Sequence, residues 1–148
     1  MKNKSIIFDS NIWIYFLNEH SELHELAIKT ISEYLSNDNI IYITSQIMRE
    51  VLVILTKKSK TKLLGKPLSI QTAIKQIEYI LKFVPVLFET EESNKKLRNL
   101  INKYNITGLK IHDANIIAIA ETNKIYGILT NNPKDFNYSR KVKIIRFK

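Results

Sequence analysis

Three acids sit where an acid is costly: Asp9, Glu50 and Asp113. Asp9 ends the apolar run Ile6-Ile7-Phe8 and is followed by Ser10 and Asn11 before a second apolar stretch opens at Ile12. Glu50 lies inside SQIMREVLVIL, where helical geometry sets it between apolar neighbours on the same side. Asp113 opens HDANIIAIA, a stretch apolar nearly all round, with Ile117 and Ala120 stacked above it. A fourth polar group follows the apolar pair Ile128-Leu129, where Thr130, Asn132 and Asp135 offer oxygen atoms in TNNPKDF. A buried carboxylate needs a partner. For each acid alone a salt bridge, a helix cap or a plain turn is partner enough. Taken together they repel one another unless a cation neutralises them. Oxygen donors without cysteine or clustered histidine suit a hard ion, Mg²⁺ or Mn²⁺. Such an ion beside a basic surface is what phosphodiester hydrolysis requires.

The elements that must carry these residues can be read from periodicity. Strands are expected over residues 6–8, 40–43, 84–88, 127–130 and 142–147. Helices are expected over 11–17, 22–35, 46–57, 70–83, 91–104 and 113–122. Ser21 is expected to cap the second helix, Thr44 and Ser45 the third, and Thr90 the fifth. Strand and helix alternate with long crossovers, which predicts a three-layer α/β/α sandwich around a mostly parallel central sheet. Asp9 and Asn132 both follow strands, so both fall at the carboxyl edge of that sheet, where open α/β folds bind ligands.

Bulk properties narrow the function classes. The chain has 148 residues, 45% hydrophobic and 25% charged, which fits a single domain over residues 1–148. Its net charge of +9 favours a polyanionic partner. The lysines Lys57, Lys58, Lys60, Lys62 and Lys66 are candidate contacts to an RNA backbone, as are Arg140, Lys141, Lys143, Arg146 and Lys148. Without cysteine there is neither a disulfide nor a thiolate metal site. The apolar run before Asp9 is too short for a signal peptide, and no stretch is apolar enough to span a membrane, so a cytoplasmic protein is expected. The glycines Gly65, Gly108 and Gly127 form no phosphate-binding loop, and there is no G-x-S-x-G elbow. His20 and His24 stand four apart, but Ser21 takes the place of the glutamate that a zincin helix needs.

Four segments, IIFDSNIWIYFL, SQIMREVL, HDANIIAIA and ILTNNPKDF, together resemble the PIN-domain nucleases, and within them the VapC-type toxins of bacterial toxin–antitoxin pairs. They occur in the family's order and span nearly the whole chain. The resemblance implies a parallel-sheet α/β/α domain, dimerisation, a cognate antitoxin and Mg²⁺- or Mn²⁺-dependent cleavage of RNA to 5′-phosphate and 3′-hydroxyl ends. Matched motif to motif, Asp9, Glu50 and Asp113 take the family's three core acids and ligate the metal. The fourth catalytic position, often Asp in the family, is Asn132 here, and an amide brings no negative charge. Asp135 stands nearby as a compensating acid or as a structural residue. Ser10, Asn11 and Thr130 look like groups that orient the acids. Two other readings compete. An aspartyl-phosphate phosphatase would share the Asp9-Ser10-Asn11 start, but Asn11 has no proton to transfer. A PIN-like module that has lost its metal would bind RNA or protein without cleaving.

Overall fold

The computed structural model describes residues 3–57 and 67–148. Lys58, Lys60, Lys62 and Lys66, four of the expected backbone contacts, lie outside the described residues.

The apolar run of the N-terminus forms β1 (Ser5–Phe8), whose Ile6, Ile7 and Phe8 are all buried. Helix α1 (Ser10–Leu17) and helix α2 (His24–Ser36) lead to β2 (Ile40–Thr44). Helix α3 (Ser45–Thr56) and helix α4 (Ile70–Leu81) lead to the two-residue β3 (Val86–Leu87). Helix α5 (Glu91–Tyr104) and helix α6 (Lys110–Thr122) lead to β4 (Gly127–Thr130), and a short 3-10 helix (Pro133–Phe136) to β5 (Lys143–Arg146). The strands make one five-stranded sheet in the order β3-β2-β1-β4-β5, and every pairing is parallel. The sheet is thus wholly rather than mostly parallel, and helices flank it.

Local chemistry explains most boundaries. Thr44 caps α3 by accepting from the Ile47 amide, and Thr90 and Ser93 form a reciprocal capping box on α5. Pro85 confines β3 to two residues on the sheet edge. Two expectations need correction. Ser21 does not cap α2: the helix begins at His24, and the Ser21 hydroxyl instead accepts from the Leu23 amide in the preceding turn. Helix α6 begins at Lys110, three residues before Asp113. Gly108, with φ +61, ends the incoming loop in the left-handed region and lets the helix start early.

The core is largely aliphatic, with the buried rings of Phe8 and Trp13 packed at a tilt, 5.8 Å between centres. The Trp13 indole donates to the Phe8 carbonyl at 3.1 Å, which fixes α1 against the end of β1. Helix α6 is buried along Ala114 and Ile116–Ala120, as its all-round apolar sequence requires. Among the described residues, no helix is long and apolar enough to cross a membrane.

With this strand order the chain leaves β1 in one direction along the sheet and β4 in the other. The crevice beyond the carboxyl ends of β1 and β4 is therefore the topological switch point, the usual ligand site of an open parallel sheet.

Candidate active site

Asp9 occupies that crevice. It caps α1 and is only 7% exposed. One carboxylate oxygen accepts from the Ser10 amide at 2.7 Å, the other from the Thr130 hydroxyl at 2.7 Å. The Ser10 hydroxyl and the Asn11 amide approach the same carboxylate at 3.4 Å each. The Asp9 backbone amide donates to Leu129 at 2.9 Å, so the ends of β1 and β4 are tied by backbone as well as side chain. Burial pushes the Asp9 carboxyl up to about 6, against the lowering effect of its hydrogen bonds, and the charge of Glu50 adds to the rise.

Glu50 comes from α3. Its helix face is less inward than the sequence pattern predicts: Ile47 and Val51 are buried, but Val53 is 58% exposed and Ile54 is also exposed. Glu50 therefore stands on the boundary, half-buried, on a cleft of about 390 Å³ that it lines with Ser10, Arg49, Ile54 and His112. Gln46, four residues earlier and 5% exposed, donates to Glu50 Oε1 at 2.8 Å and to the His112 carbonyl at 3.0 Å. Its own amide oxygen accepts from Asn115 at 2.8 Å. Asn115 also donates to Glu89 at 3.2 Å, and Glu89 accepts from Ser45. The Ser45 and Asn115 hydrogen bonds, helped by Arg49 at 3.7 Å, outweigh burial and hold Glu89 below its ordinary value. A continuous polar chain thus joins α3 and α6, the two helices that bring Glu50 and Asp113.

Asp113 sits in the first turn of α6, where an acid complements the helix dipole. Half-buried, it is pushed up to about 7, first by burial and then by the charges of Asp135, Asp9 and Glu50. The order of those charges is informative. Asn132 is exposed, and its backbone amide donates to the Thr130 hydroxyl at 3.0 Å. Asp135, in the 3-10 helix, exerts the strongest charge effect on Asp113. The fourth negative charge at this edge therefore comes from three residues beyond the position that motif matching assigns.

Asp113 lies within electrostatic reach of Asp135, Asp9 and Glu50, and Asp9 within reach of Glu50. Among the described residues, no three Asp, Glu or His side chains are grouped tightly enough, as they stand, to hold a metal ion. The donor set nevertheless suits a hard cation: it is all oxygen, and burial, with the charges of neighbouring acids, holds Asp9 and Asp113 toward the protonated form. His24 is elsewhere, with Nδ1 at 3.0 Å from the Tyr15 carbonyl. Of the expected basic contacts, Lys57 is exposed after the end of α3. Arg146 pairs with Thr130 in the sheet and shares the acids' edge, whereas Lys143 starts β5 at the opposite edge.

Sequence reasoning missed Gln46, Glu89 and Asn115. Gln46 had a signal, since a glutamine four residues before an acid on one helix face can bond to it. Glu89 and Asn115 had none, because their partners are distant in sequence.

Comparison with known proteins agrees with this fold. The PIN domain family model matches residues 6–140. No curated protein matches the chain in sequence. The fold is similar to that of VapBC2 from Rickettsia felis bound to a DNA fragment from its promoter, with TM-score 0.70, 18% identity and coverage of 97% of this chain and 99% of that one. It is also similar to DNA-bound VapBC from Salmonella typhimurium, with TM-score 0.70, 15% identity and coverage of 98% and 99%. VapC20 from Mycobacterium tuberculosis, a sarcin–ricin loop cleaving toxin, matches with TM-score 0.62, 12% identity and coverage of 90% and 96%. A family model spanning nearly the whole chain, on a wholly parallel sheet with acids at its switch point, places this protein in the PIN-domain family.

Proposed function

We propose that the protein is a Mg²⁺- or Mn²⁺-dependent endoribonuclease and the toxin of a VapBC-type pair. The observation that supports this reading is that Asp9 and Asp113 are both held well above the ordinary carboxylate range, Asp9 by burial and the charge of Glu50, Asp113 by burial and the charges of Asp135, Asp9 and Glu50. Asp9, Glu50 and Asp113 would hold the ion, with Asp135 closing the set. When bound, the ion would stabilise the charge that develops on the phosphate and lower the pKa of the attacking water.

The chain's own residues do the rest. The Ser10 amide and the Thr130 hydroxyl each occupy one Asp9 oxygen and so aim the remaining lone pairs. Gln46 holds Glu50 at the mouth of the cleft, and the same amide group grips the backbone beside Asp113. Near neutral pH, Asp113 and Asp9 must give up protons as an ion loads, so ion affinity rises with pH between about 6 and 8.

RNA as substrate is supported by the net charge of +9 and by the sarcin–ricin loop activity of the M. tuberculosis relative. The similarity to VapBC complexes supports a cognate antitoxin and a homodimer, and Val53, Ile54, Ile74 and Tyr79 on α3 and α4 offer exposed apolar surface for either. A cytoplasmic location follows from the same reading. The competing reading, a PIN-like module that binds without cleaving, is favoured by the looseness of the acid group as it stands. Digestion of total RNA in Mg²⁺ and in EDTA separates them. Fragments that appear only with Mg²⁺, and not with Asp9→Asn, support the nuclease. Intact RNA with the wild-type protein supports the module.

A further inference from the structure

The opposite edge of the sheet carries an arrangement that the proposed reaction does not use. Lys4 precedes β1, Tyr126 precedes β4 and Lys143 begins β5. Backbone hydrogen bonds set them side by side: the Tyr126 amide donates to Ser5, and the Lys143 amide to Tyr126, at 2.9 and 3.0 Å. Gly127 makes the approach possible, because a Cβ there would lie 2.7 Å from the Lys143 carbonyl. The ammonium of Lys4 stands 4.7 Å from the Tyr126 ring centre and that of Lys143 5.8 Å. Hydrogen bonding from Lys143, helped by the charge of both lysines, holds the exposed Tyr126 phenol below its ordinary value.

Two ammoniums gathered about one hydroxyl repel each other, and no acid balances them. Among the described residues, no carboxylate pairs with Lys4, Lys124, Arg140 or Lys143. Two acids do border the adjoining hollows, of about 470 and 620 Å³, that meet at Tyr126 and Lys143. Both are already engaged: Glu33 with Lys29 at 3.8 Å, and Glu121 with Lys96 and the Ser139 hydroxyl at 2.6 Å each. Lys124 and Arg140 line the second hollow and extend the same positive field. A mobile counterion or a polyanion must supply the missing charge.

We propose that this edge is a docking site for the phosphodiester backbone of RNA, remote from the acids. Lys4 and Lys143 contact phosphate oxygens and the Tyr126 hydroxyl donates between them. The inference rests on the ribonuclease reading and sharpens its substrate class. Lys4 and Asp9 are separated by the length of β1, roughly 16 Å at strand rise. A strand of a few nucleotides seated at the acids does not reach the lysines, whereas a long or folded RNA does. The protein therefore selects long or folded RNA over short strands.

The test measures binding of a fluorescent folded RNA in EDTA across a salt series, for the wild type and the Lys4→Glu/Lys143→Glu double variant. Cleavage of a short oligonucleotide in Mg²⁺ is followed alongside. The expected result is at least tenfold weaker binding by the variant, a plot of log affinity against log salt shallower by about 1.5 to 2, and unchanged cleavage of the short strand. Circular dichroism checks the fold, and Lys4→Gln/Lys143→Gln carries the test with a smaller loss if the glutamates unfold the chain. Wild-type affinity and salt slope in the variant overturn the proposal. Loss of duplex DNA binding with RNA binding intact overturns it as well and assigns the edge to DNA. If the wild type cleaves nothing, yet the variant still loses RNA affinity, the nuclease reading fails and the docking site stands.

Discussion

The two edges of one sheet treat charge in opposite ways. At the carboxyl edge, Asp9 is buried, bonded on both oxygens and raised by that burial, with the charge of Glu50 adding to the rise. At the amino edge, Lys4, Lys124 and Lys143 are exposed to solvent around an exposed tyrosine. The difference comes from topology. Helices α1 and α3 start directly from the carboxyl ends of β1 and β2, and the first turn of α1 buries Asp9 while Glu50 and Asp113 stay half-buried. At the amino ends the chain arrives through exposed turns such as Ser36–Asn39 and Asn123–Lys124, which leave side chains in solvent. Like charges under cover store repulsion that a bound ion can release. Like charges in water serve for attraction at a distance.

The comparison is broken most sharply at Asp9. Asp9→Asn should lower RNA cleavage by on the order of 10³-fold with an unchanged circular dichroism spectrum. Lys143→Glu at the other edge should leave short-strand cleavage as it is. Equal activity losses from both would erase the distinction. The next largest effect belongs to Gln46, which acts through Glu50. Gln46→Ala should reduce kcat by about 10- to 100-fold with KM little changed, read by steady-state cleavage of a labelled oligonucleotide. A KM effect alone would make Gln46 a contact to substrate rather than a support for Glu50.

Asp135 sharpens the picture of the acidic edge. In EDTA, Asp135→Asn should bring the Asp113 carboxyl down from about 7 toward its ordinary value, as followed by carboxyl NMR titration. Asn132→Asp should raise it only if residue 132 faces the crevice. The smallest effect is on stability. Asp9 and Asp113 have native values above 3.8, so between about pH 4 and 7 the folded chain binds more protons than the unfolded one. Without metal, stability should therefore fall as pH rises through that window and level off above it. Asp9→Asn should stabilise the metal-free protein by about 2 kcal/mol at pH 8 and by little at pH 4. A thermal melt in EDTA at both pH values reads the difference, and a variant that melts lower at pH 8 would remove the repulsion argument.

Much of this was legible in residue order. The β1 run ending at Asp9, the cap at Thr44 and the alternation of elements lead to the parallel sheet and its acidic edge without coordinates. The PIN-domain resemblance, carried by four short segments, agrees with the family model over residues 6–140. Helix starts were less legible. Leu109 caps α6 with no side-chain bond, so no Ser, Thr, Asp or Asn marked the boundary before Asp113. The orientation of Glu50 also escaped, because periodicity gives a helix face but not what covers it, and Val53 on that face is exposed among the described residues. Asp135 was harder to place than Asn132, since motif position suggests which residue follows a strand, whereas the strongest charge effect on Asp113 comes from the 3-10 turn beyond it. The Gln46–Asn115–Glu89 chain rests on contacts across 26 and 69 residues, which no local pattern encodes.

Everything at the acidic edge depends on those carboxylates sharing one hard cation. Calorimetric titration of Mn²⁺ into the wild-type protein and into Glu50→Gln at pH 7.5 tests this directly. The account predicts a saturable heat with proton release for the wild type and its loss or marked weakening in the variant. No heat with the wild type, or the same isotherm for both proteins, would contradict it.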